Sequence, residues 1–68
     1  MQLELVWLIY KSDSESAKKE SFICSQNLKS LGIKVISAEI GFQFNPFPNL
    51  LKQTNKLPNL AIVLGGDG

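Results

Sequence analysis

Three apolar runs along the chain predict β-strands, and a helical spacing separates the first two. Residues 3–10 are almost continuously apolar and rich in β-branched and aromatic side chains, which is typical of a strand buried on both faces of a parallel sheet. Residues 33–40 predict a second strand that is more polar and therefore nearer an edge. Residues 60–64 are consecutive apolar residues and predict a third, buried strand.

Residues 13–31 carry the periodicity of an amphipathic helix. Ser12 and Glu15 fit a capping box, in which the Ser12 hydroxyl accepts from a free amide of the first turn. Gly32 stands where a left-handed glycine is expected to end the helix, and Lys29 lies in the last turn. The inward positions recur at spacings of four and three, at Ala17, Ser21, Cys24, Leu28 and Leu31.

Residues 41–56 predict mostly loop, because Pro46 and Pro48 restrict the backbone. Residues 50–54 have room for one helical turn, and the phenylalanines at 42, 44 and 47 are expected to pin the loop onto the core. The organisation is therefore β-α-β-loop-β. It indicates an α/β fold with an open parallel sheet and right-handed crossovers.

Composition removes several classes of function. The 68 residues have a net charge of +1, and all seven basic residues are lysines, which argues against a nucleic-acid binder. No apolar run is long enough to span a membrane. With one cysteine, Cys24, and no histidine, the chain cannot form a zinc site of the usual kind or a Ser-His-Asp or Cys-His centre. We expect Cys24 and Trp7 to be core residues and the setting to be reducing and cytoplasmic.

The third strand leads directly into Gly65, Gly66, Asp67 and Gly68. Ligands of open parallel sheets bind beyond the carboxyl ends of the strands, where Asp67 could accept a proton from a substrate hydroxyl or hydrogen bonds from a sugar. The alternative is a tight turn, in which glycine and aspartate are common for conformational reasons. Lys11 and Ser12 follow the first strand and share this edge. For them a solvated lysine and a helix cap are favoured over a role near a nucleotide.

Residues 62–68 resemble the GGDG signature of the NAD kinase family, which lipid kinases and phosphofructokinases share more weakly. Residues 45–51 and 57–68 are similar to the cyanobacterial-type members, and the β-α-β start is similar to the Rossmann-like N-terminal domain of that fold. The resemblance implies that Asp67 is the catalytic base towards the 2′-hydroxyl of the adenosine ribose of NAD. It also implies that Gly65, Gly66, Asp67 and Gly68 bind the nucleotide.

The same resemblance implies that ATP, or polyphosphate, supplies the phosphoryl group together with a divalent metal cation, for which no ligand in this chain is assigned. The family continues after the last glycine with a threonine-led helix, an Asn-Glu motif and a β-rich C-terminal domain. Residues 1–68 are therefore expected to be the N-terminal part of the α/β nucleotide-binding domain, with the C-terminal domain absent. We expect them to be inactive alone and to be homo-oligomeric when complete.

Two alternatives remain at this point. A diacylglycerol-type lipid kinase would usually place an Asn-Pro segment just after the first strand. This chain has Lys-Ser-Asp-Ser there, at residues 11–14, and its Asn-Pro pair comes only at residues 45–46, which disfavours this alternative. A non-catalytic remnant or small interaction module is suggested by the length alone.

Overall fold

A three-stranded parallel sheet with one helix on each face forms the part of the chain that the computed structural model describes, residues 3–41 and 45–65. The elements follow in the order β1 (Leu5–Lys11), α1 (Glu15–Ser30), β2 (Lys34–Ile40), α2 (Phe47–Thr54) and β3 (Leu60–Leu64). The strand order is β2-β1-β3, and both pairings are parallel. The predicted α/β class and open parallel sheet are confirmed.

β1 is the centre of the sheet and of the core. Its alternating side chains divide between the two faces: Leu5, Trp7 and Ile9 pack with Leu50 of α2. Val6 and Leu8 pack on the other face with Val35 and with part of α1. All residues from Leu5 to Ile9 are buried, as the continuous apolar run predicted.

α1 begins two residues later than the capping box at Ser12 predicted. Ser14 is the N-cap, and its hydroxyl accepts from the Ala17 amide at 3.1 Å. Ser12 instead belongs to a turn after β1 that the Ser14 amide closes by donating to the Lys11 carbonyl at 3.2 Å, and the Ser12 amide donates to the Ile40 carbonyl at 3.1 Å, which prolongs the pairing of β1 with β2. The prediction for Ser12 was wrong, since extended pairing takes precedence over capping there.

The end of α1 agrees with the prediction at Gly32 but not at Leu31. Gly32 has φ +82° and its amide donates to the Lys29 carbonyl at 2.9 Å, which is the expected left-handed glycine. Leu31 is 74% exposed, because it caps the helix after the last full turn and points away from the sheet. Cys24 is only half-buried against the core, less than predicted.

α2 is a full helix of 8 residues where the sequence predicted mostly loop. Its two prolines lie at the N-cap and in the first turn, where a helix has no partner for the missing amide hydrogens. The helix ends at Asn55 in the left-handed conformation, with φ +58°. Leu50 is 1% exposed, and the Phe47 ring centre lies 6.2 Å from that of Trp7, so the predicted contact of Phe47 with the core is confirmed. Residues 42 and 44 lie outside the described residues.

The two outer strands differ in their agreement with the sequence. β2 lies at an edge of the sheet, as predicted. β3, predicted to be buried, is the other edge strand among the described residues, and Leu60 and Val63 are 44% and 59% exposed. An apolar run shows that both faces of a strand can be buried, but burial also requires neighbouring elements. Within residues 3–41 and 45–65, β3 has a neighbouring strand on one side only. None of the helices in these two ranges is long and apolar enough to cross a membrane.

Candidate functional site

The carboxyl ends of β1 and β3 meet at the point where the connections of the sheet change direction. From β1 the chain crosses to β2 on one side, and from β2 it returns past β1 to β3 on the other side. Such a reversal opens a crevice between the strands on either side of it, here β1 and β3, and this is where parallel α/β sheets bind ligands. Lys11 ends β1 and Gly65 follows β3, so both stand at this crevice.

Gly65 is held in a place that no other residue fits without strain. Its φ is +84°, in the left-handed region. A Cβ atom at this position would lie 2.8 Å from the Cβ of Ala17 and 3.0 Å from the Cβ of Lys11. The first turn of α1 therefore packs directly on the backbone that leaves β3, and the glycine allows that approach.

The start of α1 is fixed on the same edge by local hydrogen bonds. The Ser14 amide donates to the Lys11 carbonyl at 3.2 Å, which closes a turn between β1 and the helix. The Ser14 hydroxyl caps the helix and lies 3.3 Å from the Ser16 hydroxyl. The positive end of the helix dipole is thus anchored beside the crevice between β1 and β3.

The structure brings together part of the predicted site. Gly65 lies at the carboxyl edge, and Lys11 shares that edge with it, as expected from a parallel sheet. Gly66, Asp67 and Gly68 are outside the described residues. Within residues 3–41 and 45–65, no three histidine, cysteine, aspartate or glutamate side chains cluster closely enough to hold a metal ion.

Sequence reasoning missed two contacts that shape the ends of the sheet. The close approach of Ala17 to Gly65 had only a weak signal, a small residue at the first inward position of the helix. At the opposite end, the side chain of Asn59 accepts from the amides of Glu4 and Leu5 at 2.8 and 2.9 Å. The Pro-Asn pair before β3 predicted only a lead-in to the strand, although asparagine commonly bonds to backbone in such places.

Comparison with known proteins supplies the relationship. Curated proteins named NAD kinase 1 match all 68 residues, with 57% identity in Prochlorococcus marinus strain SARG and 50% in Parasynechococcus marenigrum strain WH8102. A third, from Synechococcus sp. strain PCC 6301, is 41% identical over the same 68 residues. The chain is homologous to NAD kinase 1 along its whole length.

The homology confirms the resemblance to cyanobacterial-type NAD kinases. The chain spans about 22% of the length of these NAD kinase relatives, while each match covers 100% of the chain itself. No family model and no solved structure matches the chain. For an NAD kinase homologue, the position of Gly65 puts the first glycine of the GGDG motif at the crevice between β1 and β3.

Proposed function

We propose that residues 1–68 form the first part of the nucleotide-binding domain of an NAD kinase. The enzyme transfers a phosphoryl group from ATP, or from polyphosphate, to the 2′-hydroxyl of the adenosine ribose of NAD and so makes NADP. The observation that carries this proposal is the 57% identity with an NAD kinase 1 over 100% of the chain. The position of Gly65 at the crevice between β1 and β3 supports it independently.

In this proposal Asp67 is the catalytic base, and Gly65, Gly66 and Gly68 shape the loop that receives the nucleotide. The Asp67 carboxylate orients the ribose hydroxyl and accepts its proton as the oxygen attacks the terminal phosphorus of ATP. A new O–P bond forms, the bond to the bridging oxygen breaks, and ADP leaves with that oxygen. Phosphoryl transfer depends mainly on positioning and electrostatics, and a carboxylate next to the attacking hydroxyl supplies both by orienting it and accepting its proton.

The described residues contribute a scaffold for the nucleotide and the positive electrostatic potential of a helix end. Gly65 lets the first turn of α1 pack on the backbone that leaves β3, which keeps this first glycine of the GGDG motif close to the positive end of that helix. The Ser14 cap holds the first turn in place. A bound phosphate chain at this crevice would be stabilised by both features.

Other family expectations remain proposals. A divalent cation would accompany ATP, but residues 3–41 and 45–65 contain no cluster of ligands for it, so no step is assigned to the metal. Homo-oligomeric assembly and a cytoplasmic location likewise follow only from the relationship to the NAD kinases.

A fusion tests the proposal directly. Residues 1–68 replace the matching segment of the Prochlorococcus marinus NAD kinase 1, with which they share 57% identity, and NADP formation from NAD and ATP is measured. We expect activity in the fusion and a loss of at least about a hundredfold in kcat on Asp67→Asn. A folded fusion without activity would refute the proposed function. An active fusion unaffected by Asp67→Asn would remove Asp67 from the role of base.

A further inference from the structure

Lys11 is the described cation whose backbone lies directly at the crevice. Its Cβ lies 3.0 Å, and its amide nitrogen 3.6 Å, from the place that a Cβ on Gly65 would occupy. The residue is exposed, so its ammonium is not taken up by the core. The side chain thus starts against the first glycine of the GGDG motif and extends from there into solvent.

The backbone of Lys11 is fixed from three directions. It pairs with Ile40 of β2, its carbonyl accepts from the Ser14 amide at 3.2 Å, and β3 lies alongside through the pair of Tyr10 with Leu64. The fixed backbone keeps the start of the Lys11 side chain beside Gly65, and the ammonium can reach a ligand at this edge of the sheet from there.

The carboxylates around Lys11 belong to neighbouring elements. Glu39 of β2 accepts from the Tyr10 hydroxyl at 3.4 Å on the face of the sheet towards α1. Asp13 and Glu15 are both exposed. Asp13 lies in the turn after β1, and Glu15 is the first residue of α1. Acidic residues at the start of a helix interact favourably with the helix dipole. Among the described residues at the crevice, Lys11 is the one whose charge attracts an anion.

We propose that Lys11 binds the phosphate chain of the nucleotide at the crevice between β1 and β3, beside Gly65. The inference rests on the proposed function and deepens it. Lysine binds phosphates as a compact point charge with rotatable donors, which suits a chain of phosphates approaching from solvent. The phosphates are those of ATP or the pyrophosphate of NAD, and the two sources are separated by the experiment.

Steady-state kinetics of the fusion give the first test. Lys11→Met keeps the apolar stem against Gly65 and removes the charge. A charge-assisted hydrogen bond to phosphate predicts a rise in KM on the order of tenfold for one nucleotide, with a smaller change in kcat. A rise for ATP alone assigns Lys11 to the triphosphate, and a rise for NAD alone assigns it to the pyrophosphate. Lys11→Arg, which keeps the charge, is expected to restore KM to within a few-fold of the unmodified value.

Lys34→Met is the matched control, because Lys34 is an exposed lysine at the opposite, amino end of β2. It removes the same charge from the molecule and should leave both KM values unchanged. Equal KM values in the Lys11→Met and unmodified fusions, or equal effects of the two lysine substitutions, would overturn the inference while the proposed function stands.

A second measurement does not depend on turnover. Amide NMR shifts of the fusion are followed while ATP or inorganic pyrophosphate is added. We expect shifts at residues 11 and 65 in the unmodified fusion and their loss in the Lys11→Met fusion. If both fusions respond alike, or if neither responds, Lys11 does not bind phosphate, whatever activity the fusion has.

Discussion

Ala17 and Gly65 touch so closely that a single added methyl group would not fit between them. A Cβ on Gly65 would lie 2.8 Å from the Cβ of Ala17, and the backbone of Gly65 also has φ +84°. This contact joins the first turn of α1 to the end of β3, two elements that lie far apart along the chain. The position of Gly65, the first residue of the GGDG motif, relative to the helix therefore depends on a pair of very small residues.

Gly65→Ala should destabilise the protein by about 3 kcal/mol, which combines left-handed strain with overpacking. Gly32→Ala is the control: Gly32 has φ +82°, but nothing lies within 4 Å of an added Cβ, so only the strain of about 1 kcal/mol is expected. Urea denaturation followed by the fluorescence of Trp7 gives both values. Equal losses in the two variants would contradict the close contact with Ala17.

Ser14→Ala should cost about 1 kcal/mol of stability, because its hydroxyl caps α1 through the Ala17 amide. Ser12→Ala is the matched control and should be nearly neutral, since only the backbone of Ser12 is used, in the bond to Ile40. Thermal unfolding followed by far-UV circular dichroism separates the two. A larger effect at Ser12 than at Ser14 would show that the helix is capped where the sequence pattern alone predicted.

Leu50→Ala should cost about 2–5 kcal/mol, because Leu50 is 1% exposed and fastens α2 to the face formed by Leu5, Trp7 and Ile9. Leu51→Ala, on the 44% exposed neighbour in the same helix, should change stability by less than about 0.5 kcal/mol. Chemical denaturation measures both. The Leu50 variant should also shift Trp7 emission to longer wavelength, and similar results for both leucines would mean that α2 does not cover this face.

Asn59→Ala should cost about 1–2 kcal/mol, because it leaves the amides of Glu4 and Leu5 without the oxygen that accepts from both of them. Asn59→Asp keeps that acceptor and should retain most of the stability. Hydrogen exchange at residues 4 and 5 reports the loss directly. Unchanged protection of these amides in Asn59→Ala would argue against the side-chain bridge.

Much of this fold was predicted from short sequence patterns, because these reflect the conformational preferences of nearby residues. The apolar run of β1 and the left-handed glycine at residue 32 were both predicted from the sequence and are present. α2 was missed because prolines were counted as breakers, although the first turn of a helix tolerates them. Ser12 was preferred over Ser14 because the pairing that extends β1 by one residue is a tertiary fact with no local signature.

In the candidate site, too, local features were predicted from the sequence and tertiary contacts were not. A strand leading into glycines indicated an edge where a ligand could bind, and it also indicated that Lys11 would share this edge. The packing of Ala17 against Gly65 could not be predicted, because it depends on how closely α1 approaches β3. The exposure of Val63 was missed for a related reason. Its hydrophobicity indicates that the strand can be buried, but actual burial depends on which elements pack against it.

The central position of β1 between β2 and β3 has a consequence for synthesis on the ribosome. β1 leaves the ribosome before β2 and β3, yet one of its two neighbours, β3, is the last of the described elements. One hydrogen-bonding edge of β1 therefore stays unpaired until residue 64 has left the ribosome. Such delayed long-range pairing slows folding and prolongs the exposure of an aggregation-prone segment. Chaperone binding to the nascent chain should accordingly concentrate on residues 5–9 and fall once β3 is available.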